Sequence, residues 1–134
     1  MEQVLLNTDL KSLKLFKRGK GRDIYELGNA LVIVATDRIS AFDVILPNGI
    51  PQKGRVLTSL SFFWFDFSRD IIANHLLPQK LAFLPESERR MLTERAMVVK
   101  KTTPIPVECI IRGYLSGSAW KEYRSQGVVS GIHL

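Results

Sequence analysis

The sequence contains a single cysteine, Cys109, which excludes an internal disulfide framework and any zinc site built from several thiolates. Long apolar runs are missing as well, because stretches such as residues 30–35 fall far short of the ~20 residues that a membrane-spanning helix needs. The first residues also lack the cationic and then apolar layout of a signal peptide. We therefore expect a cytoplasmic protein without a membrane partner, in which Cys109 is a small buried hydrophobic residue.

The sequence also has few residues that could form a metal site or a hydrolase active site. Its two histidines, His75 and His133, have no further His, Cys or paired carboxylates beside them, so no metal site is predicted within this chain. The patterns G-x-S-x-G and H-E-x-x-H are absent. These absences give no support to a hydrolase.

Positive charge, in contrast, is in excess and is concentrated near the start. Lysine and arginine total 19 against 13 acidic residues, a formal net charge of +6. Such an excess suits nucleic acid, a membrane surface or small phosphorylated ligands, although a solvated basic face has the same composition. The largest group of aromatic side chains, five of the twelve, lies in residues 61–67 and is not interleaved with basic residues, so no nucleic-acid partner is predicted. The cations of the first 22 residues are Lys11, Lys14, Lys17, Arg18, Lys20 and Arg22.

The first part of the chain has the alternation of apolar and polar residues that is typical of β-strands. With 134 residues, the chain is long enough for one main core. Three antiparallel strands are predicted at residues 13–18, 23–27 and 30–36. Tight turns at Gly19–Gly21 and at Gly28–Asn29 would join them, because glycine and asparagine favour hairpin turns.

The rest of the chain predicts alternating helices and strands. Residues 37–54 combine polar side chains with prolines and glycines, so we expect an irregular loop there. Apolar residues then recur at three- and four-residue steps, which predicts a helix from Arg55 to about Leu76 whose aromatic stripe packs in the core. The later predictions are a short helix at Glu86–Leu92, strands at residues 96–100 and 107–112, a helix that ends at Gly127, and a new element after it.

The first polar cluster that suits an anion is the turn between the first two predicted strands, Gly19, Lys20, Gly21 and Arg22. Glycine lets backbone N–H groups come close to a ligand, and the neighbouring cations neutralise phosphate charge. The spacing matches neither the P-loop nor the dinucleotide-binding fingerprint. Taken alone, the cluster fits a phosphate-binding turn less well than an ordinary lysine-rich hairpin turn.

Two further polar clusters follow predicted strands. Asp37, Arg38 and Ser40 come directly after the third strand, a usual place for functional loops, but a turn closed by an Asp–Arg pair would use the same residues. In the other cluster, Arg112 ends the strand predicted at residues 107–112, and Ser118 lies at the start of the last helix. Helix N-termini and arginine side chains bind phosphate well, whereas a serine there is also an ordinary helix cap.

Three segments, taken in order, resemble the amino-terminal part of the SAICAR synthetase family (phosphoribosylaminoimidazole-succinocarboxamide synthase). The segments are GKGRDIYEL, VATDRISAFDVILPNGIPQKGRVLTSLSFFWF and VECIIRGYLSGSAWKEY, and they cover most of residues 19–123. Gly21 departs from the family pattern, which often has an apolar residue at this position. Family members also run well beyond residue 134, so the resemblance is to an amino-terminal portion.

The resemblance implies an α+β fold. Residues 1–100 would form an antiparallel-sheet lobe with a long helix, and residues 101–134 would form the hinge and the start of a second, truncated α+β lobe. ATP would lie in a cleft between the lobes, as in protein kinases. The implied reaction of purine biosynthesis uses ATP to join the carboxylate of carboxyaminoimidazole ribotide to the amine of L-aspartate through an acyl phosphate. Mg²⁺ is the implied metal, and its ligands are expected in the missing carboxy-terminal lobe.

The resemblance also assigns roles to the three clusters, but it identifies no catalytic residue in this chain. We expect the chain alone to be an inactive fragment of this ligase. The alternative is a non-catalytic basic module that binds nucleotides or RNA without turnover. The implied ATP-binding residues are Gly19, Lys20, Gly21, Arg22 and Lys100, and the implied imidazole-nucleotide residues are Asp37, Arg38, Ser40, Arg112 and Ser118.

Overall fold

The structure is a computed structural model that describes residues 4–107, 109–111 and 113–134. It divides into two compact units, the first ending at Thr102 and the second beginning at Thr103. The predicted α+β class with antiparallel sheets is confirmed. In chain order the elements are β1 (Leu15–Arg18), β2 (Arg22–Leu27), β3 (Ala30–Ala35), β4 (Arg38–Ala41), β5 (Val44–Gly49), α1 (Lys53–Phe67), α2 (Glu86–Leu92), β6 (Ala96–Lys100), α3 (Gly117–Gln126), β7 (Val128–Val129) and β8 (Ile132–His133).

A four-stranded antiparallel sheet, in the order β1-β2-β3-β6, forms the centre of the first unit. The three predicted strands and both predicted turns are therefore confirmed. Cross-strand partners lie on the same face of a sheet, so the register defines two faces. The face that contains Tyr25 and Val32 is called the core face, and the face that contains Ile24, Ile33 and Ala35 is called the helix face.

The hydrophobic core lies against the core face. Tyr25, Val32 and Val34 are buried, and they pack against Leu10 from the start of the chain and Leu92 from α2. Complete burial of a side chain as large as valine contributes roughly 1.5–3 kcal/mol to stability. The core therefore fixes the sheet, and the sheet fixes the turns at its ends.

The prediction of an irregular loop at residues 37–54 is wrong, because β4 and β5 pair there as an antiparallel hairpin. Phe42 and Asp43 form the turn of this hairpin, and both have left-handed backbone conformations, with φ of 49° and 66°. Two-residue hairpin turns of this hand usually use asparagine and glycine. Phe42 and Asp43 are neither of these, so the sequence has no local signal that predicts the hairpin.

The long helix is shorter than predicted and packs through another face. α1 ends at Phe67, so the predicted end near Leu76 is wrong. Its aromatic stripe is exposed, with Trp64 58% and Phe67 66% accessible to solvent, which corrects the prediction that the stripe packs in the core. Instead, Gly54 and Thr58 are the buried residues of α1.

Gly54 explains why small residues face the sheet. A Cβ on Gly54 would lie 2.2 Å from the carbonyl oxygen of Ala35, so the α1 backbone touches β3 where no side chain fits. Large aromatic residues cannot occupy such a close contact, and they consequently lie on the other sides of the helix.

The second unit contains α3 and a short hairpin formed by β7 and β8. The predicted helix end at Gly127 is confirmed, and this residue caps α3 with φ of 70°. The strand predicted at residues 107–112 is wrong, because Val107 and residues 109–111 form no regular structure. Cys109 is exposed, which corrects the prediction that it is buried. Arg112 lies outside the described residues.

Within the part of the chain that the structure describes, no helix is both long enough and apolar enough to cross a membrane.

The contact at Gly54 makes a testable prediction about stability. Gly54→Ala should lower the free energy of unfolding by about 1–3 kcal/mol, because the added methyl group forces α1 away from β3. Urea denaturation would measure this loss. Gly19→Ala is the control, since a Cβ there meets its nearest atom at an ordinary 3.5 Å, and it should change stability by no more than about 0.5 kcal/mol. Equal effects of the two substitutions would contradict the packing argument.

Candidate phosphate-binding site

The glycine turn between β1 and β2 is held at both ends by hydrogen bonds. The backbone N–H of Gly19 donates to the carbonyl of Arg22 at 2.8 Å. At the other end of the turn, Thr36 donates two hydrogen bonds to the Gly21 carbonyl, one from its backbone N–H at 3.0 Å and one from its hydroxyl at 2.9 Å. The turn is thus anchored to the end of β3, next to the start of β4.

A cavity of about 500 Å³ opens beside this turn on the helix face. Lys17, Lys20, Arg22 and Lys53 contribute four cationic side chains to its lining, and no carboxylate lines it. The other lining residues are Gly19, Gly21, Ile24, Ala35 and Leu57. Such a concentration of positive charge around a glycine turn suits a ligand with several negative charges.

Lys53 is the part of this cavity that sequence reasoning missed. It is the first residue of α1, and its Nζ lies 3.9 Å from the position that a Cβ on Gly21 would occupy. In the described part of the chain, no carboxylate forms an ion pair with Lys53. Because the sequence prediction started the helix at Arg55, Lys53 was placed in a loop. A helix predicted to begin at Lys53 would have placed this cation at a helix N-terminus, where proteins often bind phosphate.

Asp37 fixes the start of α1 and thereby the position of Lys53. One carboxylate oxygen accepts hydrogen bonds from the Gly54 N–H at 2.9 Å and from Arg95 Nη1 at 3.0 Å. The other accepts the N–H of Leu5 at 2.9 Å. Burial alone would raise the pKa of Asp37, but these hydrogen bonds outweigh burial and hold the pKa below its usual value. Asp37 is completely buried, and its predicted contact with the imidazole nucleotide stays a prediction.

Arg38 and Asp23 form a buried ion pair on the core face. Arg38 Nη2 donates to Asp23 at 2.7 Å, and Arg18 Nε donates to the same oxygen at 3.2 Å. The second oxygen of Asp23 accepts the N–H and the hydroxyl of Thr8, at 2.9 and 2.7 Å. Burial would raise the pKa of Asp23, but the bonds from Arg38 and Thr8 lower it below the usual value. The predicted role of Arg38 in holding the imidazole nucleotide stays a prediction.

The remaining predicted residues of the first unit lie around the turn or far from it. Lys20 forms an exposed ion pair with Asp43, which lowers the pKa of that carboxyl. Ser40 is exposed on β4. Lys100 is at the opposite end of the sheet, about five residues along the strands, or roughly 17 Å at ~3.4 Å per residue. The structure therefore brings residues 19–22 together in one cavity and places Lys100 apart from them.

In the second unit, Ser118 is exposed in the first turn of α3. Ser116 takes the N-cap position, but its side chain makes no capping hydrogen bond. The predicted role of Ser118 in phosphate binding stays a prediction.

Comparison with known proteins identifies the family. A family model described as SAICAR synthetase matches residues 15–134. The chain belongs to the SAICAR synthetase family. It is 55% identical to the phosphoribosylaminoimidazole-succinocarboxamide synthase of Thermodesulfovibrio yellowstonii, across all of this chain and 47% of that protein. It is 54% identical to the corresponding synthase of Syntrophobacter fumaroxidans, across 98% of this chain and 44% of that protein.

A solved SAICAR synthase has the same fold. The enzyme from Saccharomyces cerevisiae, determined in complex with SAICAR, is 45% identical and has a TM-score of 0.85, with 96% of this chain and 47% of that chain covered. The family predicted from the three sequence segments is confirmed. The chain spans about half the length of the SAICAR synthetase relatives that it matches, which fits an amino-terminal portion.

Mg²⁺, the metal implied for SAICAR synthetases, does not fit the residues around the cavity. Mg²⁺ prefers oxygen ligands such as carboxylates, whereas the charged side chains of the lining are all cations. Among residues 4–107, 109–111 and 113–134, no group of three or more His, Cys, Asp or Glu side chains could hold a metal ion.

The Asp23 hydrogen bonds predict how stability depends on pH. Because the folded-state pKa of Asp23 is below its unfolded value, the ionised carboxylate stabilises the fold above that unfolded value, near pH 4, and this stabilisation is lost as the pH falls through the folded pKa. Asp23→Asn should therefore lower stability at pH 7 and reduce the fall in unfolding free energy as the pH decreases below about 4.

Urea denaturation at several pH values would measure both effects. Asp9→Asn is the control, because the Asp9 ion pair with Lys11 is exposed and contributes little. If the unfolding free energy of Asp23→Asn fell at acidic pH as steeply as that of the unaltered chain, the prediction would be contradicted.

Proposed function

We propose that this chain supplies the ATP phosphate-binding part of a SAICAR synthetase. The observation that carries the proposal is the cavity in which Lys17, Lys20, Arg22 and Lys53 surround a glycine turn and no carboxylate contributes to the lining. Three of these cations come from β1, β2 and their turn, whereas Lys53 comes from α1. Cations that approach from two elements can contact different oxygens of one polyphosphate, and each contact is a charge-assisted hydrogen bond.

The geometry of the sheet supports an extended nucleotide with its phosphates at the glycine turn. Lys100, at the far end of the sheet, precedes the division between the two units. In this proposal the adenine lies beside the backbone at the Lys100 end of the sheet, and the triphosphate lies toward Lys53. The roughly 17 Å between the two ends of the strands suits a ligand with this shape.

The proposed reaction brings several anions together. A carboxylate oxygen of carboxyaminoimidazole ribotide attacks the γ-phosphorus of ATP, an O–P bond forms, the bond to the bridging oxygen breaks and ADP leaves. The amine of L-aspartate then forms a C–N bond with the acyl carbon, loses a proton and expels inorganic phosphate. The cations of the cavity would reduce the repulsion between these anions, which is electrostatic stabilisation of the first step.

The chain alone should not complete this reaction, because it spans about half of its relatives. We expect no SAICAR from the purified chain with ATP, Mg²⁺, carboxyaminoimidazole ribotide and L-aspartate. Chromatographic detection of the product would test this, with the full-length Thermodesulfovibrio yellowstonii synthase as the positive control. Sustained turnover by the purified 134-residue chain would contradict the prediction.

ATP binding can be tested in the chain itself. Lys53→Met and Lys20→Met should each weaken ATP binding roughly 10- to 100-fold, the effect of losing a charge-assisted hydrogen bond of about 1.5–3 kcal/mol. Calorimetric titration at two salt concentrations would measure the affinities. Lys11→Met is the control, because Lys11 is exposed beside Asp9 and does not line the cavity. Its substitution should weaken binding by less than about threefold.

Two results would overturn the proposal. Equal small losses in all three variants that vanish with added salt would indicate diffuse electrostatics. Binding of RNA that is tighter than binding of ATP and falls steeply with salt would favour a polyanion-binding module without turnover.

A further inference from the structure

We infer that Arg38 is a positioning residue, which turns the backbone N–H groups of the glycine turn toward the phosphates. This inference rests on the proposed ATP site, and it concerns a residue that does not line the cavity of the four cations. Arg38 is only 5% exposed. Its side chain lies on the other side of the turn, where it pairs with the buried Asp23.

All five N–H donors of the Arg38 guanidinium have acceptors within the protein. Two donors are used by the turn itself, because Nη2 donates to the Gly19 carbonyl at 2.8 Å and Nε donates to the Lys20 carbonyl at 3.2 Å. The other three donate to the Leu6 carbonyl, to Asn7 Oδ1 at 3.3 Å and to Asp23 Oδ1 at 2.7 Å. With every donor used, Arg38 would act on the phosphates of ATP through the turn and not by direct contact.

The two carbonyl contacts determine where the neighbouring N–H groups point. In a trans peptide the C=O and the N–H of the same peptide plane point in opposite directions. The Gly19 and Lys20 carbonyls point toward Arg38, so the N–H groups of Lys20 and Gly21 point away from it. In the described part of the chain, neither N–H donates to a protein acceptor. Two successive free N–H groups are a usual backbone site for a phosphate oxygen.

Only arginine can make this set of contacts. The planar guanidinium presents five donors in fixed directions, whereas a lysine ammonium has three donors on a single atom. Arg38→Lys therefore keeps the charge beside Asp23 and removes the simultaneous contacts with the two carbonyls of the turn. Arg18 provides a matched control, because it donates to Asp23 and to the Thr8 carbonyl and makes no bond to the turn.

The experiment compares Arg38→Lys with Arg18→Lys in the 134-residue chain. NMR relaxation of the Lys20 and Gly21 amides would report the rigidity of the turn, and calorimetry would report affinities for ATP and adenosine. In Arg38→Lys we expect order parameters to fall from near 0.85 to below about 0.6, and ATP affinity to fall at least ~10-fold without a change for adenosine. In Arg18→Lys we expect rigid amides and ATP affinity within about threefold of the unaltered chain.

Equal effects of the two substitutions, or an Arg38→Lys variant with unchanged ATP affinity, would overturn the inference. A chain that binds no ATP would overturn the proposed function, while the order parameters would still decide whether Arg38 holds the turn. If the Arg38→Lys variant does not fold, a measurement on the unaltered chain still tests the inference. Separate NMR signals for Nη1 and Nη2 of Arg38 are expected from a guanidinium that is fixed in place, and one averaged signal would overturn the inference.

Discussion

The buried ion pair between Arg38 and Asp23 is the interaction on which the phosphate cavity depends. A buried charge costs several kcal/mol unless it is paired and hydrogen-bonded, and both members of this pair are saturated with partners. The pair joins the start of β4 to β2, and through the Gly19 carbonyl it also joins the glycine turn. Removing Asp23 would leave the Arg38 charge buried without a carboxylate partner, a loss of about 3–5 kcal/mol, whereas Asp23 without Arg38 would keep its hydrogen bond from Arg18.

Asp37, the neighbour of Arg38, holds the other side of the same cavity. Its carboxylate binds the start of α1 at Gly54, whereas Arg38 binds the glycine turn. Two adjacent residues of opposite charge thus fix the two elements that carry Lys20 and Lys53. The sequence places them together as one polar cluster after a strand, and the structure explains why both are charged and buried.

The sheet and the glycine turn could be predicted from the sequence, because strand alternation and glycine turns are local signals. The packing of α1 against the sheet could not be predicted from the sequence. The sequence contains an aromatic stripe and a small-residue face with Gly54 and Thr58, and the more apolar stripe was expected to pack. The close contact between Gly54 and Ala35 instead places the small-residue face against the sheet. This contact arises only when β3 and α1 meet in space. Lys53 was missed because the start of α1 was predicted two residues too late, at Arg55.

Arg38 holds the glycine turn through two backbone carbonyls, so the shape of the turn does not depend on the side chains of its residues. A Cβ at position 21 would meet nothing nearer than 3.9 Å, and Gly21 does not have the positive φ that favours glycine. An apolar residue therefore fits where this chain has Gly21, without a change in the hydrogen bonds that hold the turn. The turn can accumulate side-chain substitutions over evolutionary time while its hydrogen-bonded shape persists, and position 21 is open to engineering of the cavity wall.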